Sequence, residues 1–221
     1  TGRERLMRIA KLVVHNFRGL RSLSWQPGSQ AMNCIIGPGD SAKTTVLDAI
    51  EATLSPRWIT FSESDFHLGN SLNSIRIEAT IAELSNALLS DQRFGLYIRG
   101  LADDGAVHDE PEAHHDPALT IRLTVDATME PVWELVCDRY PTPRVLSNRD
   151  RSLFGVVWLA GEEARHLTWG QGSVLARMTG DTEGAANQLA DAYRVAKQTA
   201  NLSSIPSLVE TAARAEVLAK Q

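Results

Sequence analysis

Residues 37–45, Gly-Pro-Gly-Asp-Ser-Ala-Lys-Thr-Thr, have the types and spacing to hold a polyphosphate. An apolar run, Ala31 to Ile36, precedes them and Val46-Leu47-Asp48-Ala49-Ile50 follows, with Leu54 four residues after Ile50. That order predicts a strand over 31–36, a tight loop, and a helix that opens on a Lys-Thr pair, the layout of a phosphate-binding P-loop. In such a loop successive backbone N–H groups converge on an anion, and the helix N-terminus adds partial positive charge. Lys43 would reach the β- and γ-phosphates, and the Thr44 hydroxyl would hold Mg²⁺. The predicted ligand is a nucleoside triphosphate, and the competing reading is an ordinary glycine-rich turn before a helix.

Two residues depart from the pattern G-x-x-x-x-G-K-[ST]. Ala42 stands where the second glycine belongs, so a methyl group would sit beside the β-phosphate. At the helix start an ordinary negative φ is expected for it. Asp40 puts a carboxylate into a loop meant for anions, and a tolerance for left-handed backbone would explain it. A degenerate loop of weak nucleotide affinity is the alternative.

The elements that must position this loop are legible from their periodicity. Arg8 to Leu20 reads as a strand ending in a turn, with His15 at the surface and Arg18 near the phosphates. Ser74–Ile81 alternates apolar and polar residues, as a half-buried strand does. Leu119–Ala127 and Val132–Cys137 flank the turn Thr128-Met129-Glu130-Pro131 and predict an antiparallel hairpin, and Phe154–Leu159 predicts a further strand. After Gly180 two alanine-rich helices are expected, Thr182–Thr199 and Ile205–Lys220, the second with Ser204 as N-cap and an early Pro206. Residues 1–6 read as a leader or remnant, 7–180 as the nucleotide-binding lobe with its β-rich part, and 181–221 as a helical segment. Between Asp103 and Pro117 lie three histidines and six carboxylates, a composition that suits a metal; a solvated hairpin loop is the favoured reading.

The phrase Asn16-Phe17-Arg18-Gly19 followed by the loop resembles the opening of SMC/RecF-type ABC ATPases. Residues 37–50 resemble more closely the OLD (overcoming lysogenisation defect) family of ATP-dependent nucleases, as do Phe61–Phe66 and Leu167–Ser173. The resemblance implies an α/β fold: part of a P-loop ABC-type ATPase head, with a mixed sheet, an antiparallel β-subdomain and C-terminal helices. It implies ATP and Mg²⁺ as cofactors, bound by Arg18, Gly37, Pro38, Gly39, Asp40, Ser41, Ala42, Lys43, Thr44 and Thr45, with Thr44 on the metal. Lys43 and Gln171 would be the catalytic pair, Gln171 as the glutamine that contacts Mg²⁺ and the attacking water; a polar turn is the other reading of Gln171.

No signature loop, Walker B strand or switch histidine is found in the sequence, and Glu162-Glu163 reads as a strand end. The expectation is therefore the N-terminal part of an ATPase, inactive alone, completed by a C-terminal half or partner chain. Homodimerisation through the ATPase heads and action on DNA belong to the same expectation. A net charge of −5 argues against a free-standing nucleic-acid binder. Cys34 and Cys137, both in apolar runs, read as buried free thiols of a cytoplasmic protein, and no run of residues is apolar enough to span a membrane. The alternative function is a non-hydrolysing nucleotide sensor or dimerisation module. A P-loop kinase is a third, for which neither an early aspartate base nor an arginine-rich lid is found.

Overall fold

The computed structural model describes residues 7–154 apart from 31 and 91, together with Val156, Asn187, Gln188, Asp191, Ala192, Arg194 and Val195. The chain divides into two compact units, Thr1–Trp158 and Leu159–Gln221. In the second unit the described residues are helical. Glu162, Glu163 and Gln171, most of the strand expected at Phe154–Leu159, and the bulk of both expected C-terminal helices lie outside the described residues. Phe154 itself is buried in a turn rather than in a strand.

The first unit is built on one eight-stranded sheet. Its strands are β1 (Arg8–Phe17), β2 (Leu20–Trp25), β3 (Ile75–Ala82), β4 (Arg99–Leu101), β5 (Val107–His108), β6 (Asp116–Val125), β7 (Pro131–Cys137) and β8 (Tyr140–Val145). The order is β2-β1-β3-β6-β4-β5, and β7, which carries β8, shares with β4 the edge of β6 that faces away from β3. Every pairing among the described residues is antiparallel, the antiparallel part of the sheet expected from the sequence. Short links impose this on two of the pairs: β1–β2 and β7–β8 are two-residue hairpins, whereas parallel neighbours need a crossover of a dozen residues or more. The hairpin expected around Thr128-Pro131 is present as β6–β7.

The strand expected at 31–36 is also corrected. Residues 32–36 have no regular structure, Met32 and Ile36 are 85% and 87% exposed, and Cys34 is exposed rather than buried as expected, whereas Cys137 is buried. Apolar character alone does not make a strand; its N–H and C=O groups need a neighbouring ladder, and among the described residues none pairs with this run.

One long helix, α1 (Lys43–Leu54), packs its buried face of Val46, Ala49, Ala52, Thr53 and Leu54 on β1, β3 and β6. Beneath it lie Leu12, Val14, Phe17, Ile75, Ile77, Ile121 and Leu123, all fully or almost fully buried. The helix ends at Ser55 because Pro56 disfavours helical backbone in the residue before it. Shorter helices are α2 (Asn86–Ser90), α3 (Gln92–Gly95) and α4 (Asn148–Ser152), of which the first two add Leu88 and Phe94 to the core. No described helix is long and apolar enough to cross a membrane.

The carboxyl end of α1 is held by two side chains distant in sequence. Trp133 Nε1 donates to Ala52 O at 2.9 Å, and Arg151, fully buried, donates through Nη1 to Ser55 O and Arg57 O. Its guanidinium lies 3.7 Å from the Trp133 ring centroid. Burial lowers the Arg151 pKa to about 10, so the cation persists at neutral pH beside the negative end of the helix dipole. Replacing Arg151 by Met keeps the volume but strands these buried carbonyls, and is expected to cost about 2–3 kcal/mol. Urea denaturation checks this; a midpoint equal to that of the parent chain would show that the carbonyls need no such donor.

Candidate functional site

The loop that precedes α1 is shaped by three backbone facts. Asp40 and Ala42 adopt left-handed conformations, with φ of 54° and 60°. A Cβ on Gly37 would stand 2.8 Å from Ser41 Oγ, so only glycine lets the loop close on that hydroxyl. Ser41 Oγ in turn donates to Pro38 O at 2.8 Å. Asp40 thus fills the conformational role expected of it. Ala42 does not: its φ is positive where a negative value was expected, and it caps α1 with no side-chain hydrogen bond.

Lys43 turns back over this loop. Its ammonium donates to Gly37 O at 3.0 Å, to Pro38 O, and to Ser41 Oγ at 3.3 Å. Gly37, Pro38, Ser41 and Lys43 are thereby brought together, whereas Gly39 stands open, with nothing near the position of a Cβ. The first intrahelical bond recorded for α1 runs from Val46 N to Ala42 O, and the amides of Lys43, Thr44 and Thr45 belong to the turn that has no intrahelical acceptor. They line a cleft of 270 Å³ together with Asp40, Ser41, Ala42 and Gly19, and Thr44 is exposed. Thr44 therefore offers a hydroxyl at the first turn of a twelve-residue helix, a donor set that fits a hydrated Mg²⁺ beside an anion.

Gly19 is the member of this cleft that motif reading missed. It follows Arg18 in the two-residue turn between β1 and β2, and its Cβ position lies 3.4 Å from Ala42 Cβ and 3.9 Å from Thr45 Oγ1. The signal was the Asn-Phe-Arg-Gly phrase itself, whose glycine lets the first hairpin rest against the loop.

Arg18 is placed elsewhere. It does not line the loop cleft but a neighbouring one of 210 Å³, with Asp48, Glu51, Arg57, Trp58 and Asp65 among its walls. Its guanidinium pairs with Asp48 at 2.5 Å and Asp65 at 2.9 Å, so two carboxylates already satisfy it. Asp65 is itself set by a capping box with Ser62, an S-x-x-D signal visible in the sequence. His15 is exposed, as expected of a surface residue.

No family model matches the sequence, and no curated protein matches it. Among solved structures, a chain described under the structural biochemistry of ATP-driven dimerization and DNA-stimulated activation of SMC ATPases is similar over 79% of this chain and 98% of its own, at 13% identity and a TM-score of 0.44. At so low a likeness, functional chemistry has to be read from the loop itself.

The left-handed backbone at Ala42 decides the sign of a substitution there. A non-glycine residue in this region costs about 1–2 kcal/mol, and glycine gives back about 0.4–1 kcal/mol through the freer unfolded chain. Ala42→Gly is therefore expected to stabilise the chain by about 0.5–1 kcal/mol, read from chemical denaturation. A loss of stability would show that the methyl contact with the Gly19 turn outweighs the backbone strain.

Proposed function

We propose that this chain is the nucleotide-binding module of an OLD/SMC-like ATPase, and that its loop at 37–45 binds the phosphates of ATP. The observation that carries the reading is the lysine at the mouth of α1. Its ammonium rests on the loop's own carbonyls, within the span of a glycine-dependent turn whose following amides have no helical acceptor. Phosphate oxygens would compete for that ammonium and for the amides of residues 43–45, charge-assisted bonds replacing bonds to neutral carbonyls. Lys43 would draw charge from the terminal phosphates, and Thr44 would supply an oxygen to Mg²⁺. ATP-driven head-to-head dimerisation and action on DNA, through other parts of the full assembly, belong to this proposal.

Within it, binding without rapid turnover has an observation in its favour. Among the described residues lining the cleft, Asp40 is the one carboxylate, and it is exposed on a left-handed loop residue. Hydrolysis needs a positioned acceptor for the proton of the attacking water. The proposed behaviour of this chain alone is ATP binding with slow hydrolysis, which steady-state turnover of ATP measures.

Lys43→Ala is expected to weaken Mg·ATP binding by on the order of 2–4 kcal/mol. Titration calorimetry on the parent and variant chains measures it, and equal affinities would remove the loop from the function. Thr44→Ala should abolish the gain that Mg²⁺ gives to ATP affinity while leaving the metal-free affinity nearly unchanged.

A further inference from the structure

The chemistry-bearing side chains at the other end of the sheet have no part in the nucleotide reading. Between β5 and β6 the chain runs through a loop over residues 109–115, and this loop gathers Glu112, His114 and His115. Each of the three can offer one ligand atom, and these atoms lie within 4.8 Å of one another. His114 Nδ1 is 3.7 Å from Glu112 Oε2, and Glu112 N–H donates to His115 Nδ1 at 3.2 Å. Both Nδ1 atoms therefore face the glutamate.

The histidine ring at 115 is held from two further sides. It stacks on His108 with ring centroids 4.8 Å apart and planes 8° from parallel. On another side it rests against the backbone of Gly100, where a Cβ would stand 2.5 Å from Nδ1. A turn bond from His115 N to Glu112 O, 3.0 Å, fixes the spacing between the glutamate and the imidazole. The His115 ring is thus held in place, its Nδ1 lone pair passing to an ion only when the Glu112 N–H lets go of it, while Glu112 and His114, 66% and 70% exposed, are free to rotate onto that ion.

From this arrangement we infer a binding site for Zn²⁺, or a similar imidazole-seeking divalent cation, at Glu112, His114 and His115. Two imidazoles and one carboxylate suit zinc and its neighbours; Mg²⁺ and Ca²⁺ prefer sets of oxygen ligands. Ligand bonds of about 2.0–2.2 Å demand that the three atoms draw closer than they stand, a change that side-chain rotation supplies. Water would complete the shell.

The strand register separates this site from the nucleotide loop. Arg8 pairs with Ala82, Ala82 with Ala118, and Ala118 with Arg99, which places the histidines at the Arg8 end of β1. The Arg18-Gly19 turn closes the opposite end, about 30 Å away along a ten-residue strand. The ion would bridge three side chains of the one β5–β6 connection, and the inference stands independently of ATP binding.

Calorimetric titration of the full chain with ZnCl₂ in a buffer free of phosphate and nucleotide tests it. One zinc should bind, a His114→Ala/His115→Ala chain should bind it at least tenfold more weakly, and a tenfold excess of Mg²⁺ should not compete. Zinc should also raise the melting temperature of the parent chain and not that of the double variant. Should the double variant fail to fold, Glu112→Gln, altered at an exposed and nearly isosteric side chain, should still weaken zinc severalfold. No binding by the parent chain, or equal binding by parent and variants, would overturn the site.

Discussion

The turn at Asn16–Gly19 is the constraint on which the rest of the first unit depends. Asn16 and Arg18 both take left-handed backbone, with φ of 55° and 47°. The first of these breaks the strand's alternation, so that burial passes from Leu12 and Val14 to Phe17 rather than to residue 16. Asn16 is held through its side-chain amide by the carbonyls of Asn70 and Asn73. Arg18 occupies the first central position of a two-residue hairpin, which glycine fills in a type II′ turn. Its conformation is over-determined: its N–H donates to Asp65 O, its carbonyl meets the His67 ring, and its guanidinium spans Asp48 and Asp65. The ion pairs are partly exposed and contribute little stability one by one. Their effect is positional, since they join β1, α1 and the turn at Glu63–Asp65 and set Gly19 against the loop at 37–45.

At its far end α1 meets a different kind of restraint. Trp133 and Arg151 act where water is excluded, and there an unpaired carbonyl would cost more than any surface ion pair contributes. The tryptophan connects that end to the edge of the sheet that carries β8, and its ring also meets the exposed Trp58 edge-on at 5.8 Å. A helix pinned so at its carboxyl end, and tied through Asp48 to the first hairpin, has little freedom to slide. The direction of its amino-terminal amides is then decided by the sheet rather than by the loop.

A lattice of charge runs across the middle strands as well. Glu78 on β3 accepts from Arg76 and from Arg122 on β6. Burial raises its pKa, but the two guanidinium groups outweigh that and hold the carboxyl below its ordinary range. This contribution to stability is therefore present above the ordinary carboxylate pKa and is lost as pH falls through the lowered one. Together with the Thr80–Thr120 hydroxyl bond, it fixes the β3–β6 register on which both ends of the sheet are built.

Local pattern alone specified the loop, the helix after it and the longest strands. Glycine at 37 and 39, the Lys-Thr pair, the spacing from Val46 to Leu54 and the alternation in 75–81 and 119–125 are all short-range signals, and β1, β3, β6, β7 and α1 stand where they point. Short strands such as β4, β5 and β8 escaped notice because a few residues carry too little periodicity, and their pairing comes from neighbours remote in sequence. The run at 32–36 shows the converse: apolar residues without a partner ladder do not form a strand. Whether Ala42 would be left-handed, and whether Arg18 would face phosphates or carboxylates, depended on contacts between residues 20 to 50 positions apart, which no local pattern encodes. The three histidines were visible as composition, yet their grouping required Gly100 on another strand to leave room for the His115 ring. Sequence determined which groups were available for chemistry; tertiary structure decided which of them meet, because backbone strain and steric room are properties of the folded neighbourhood.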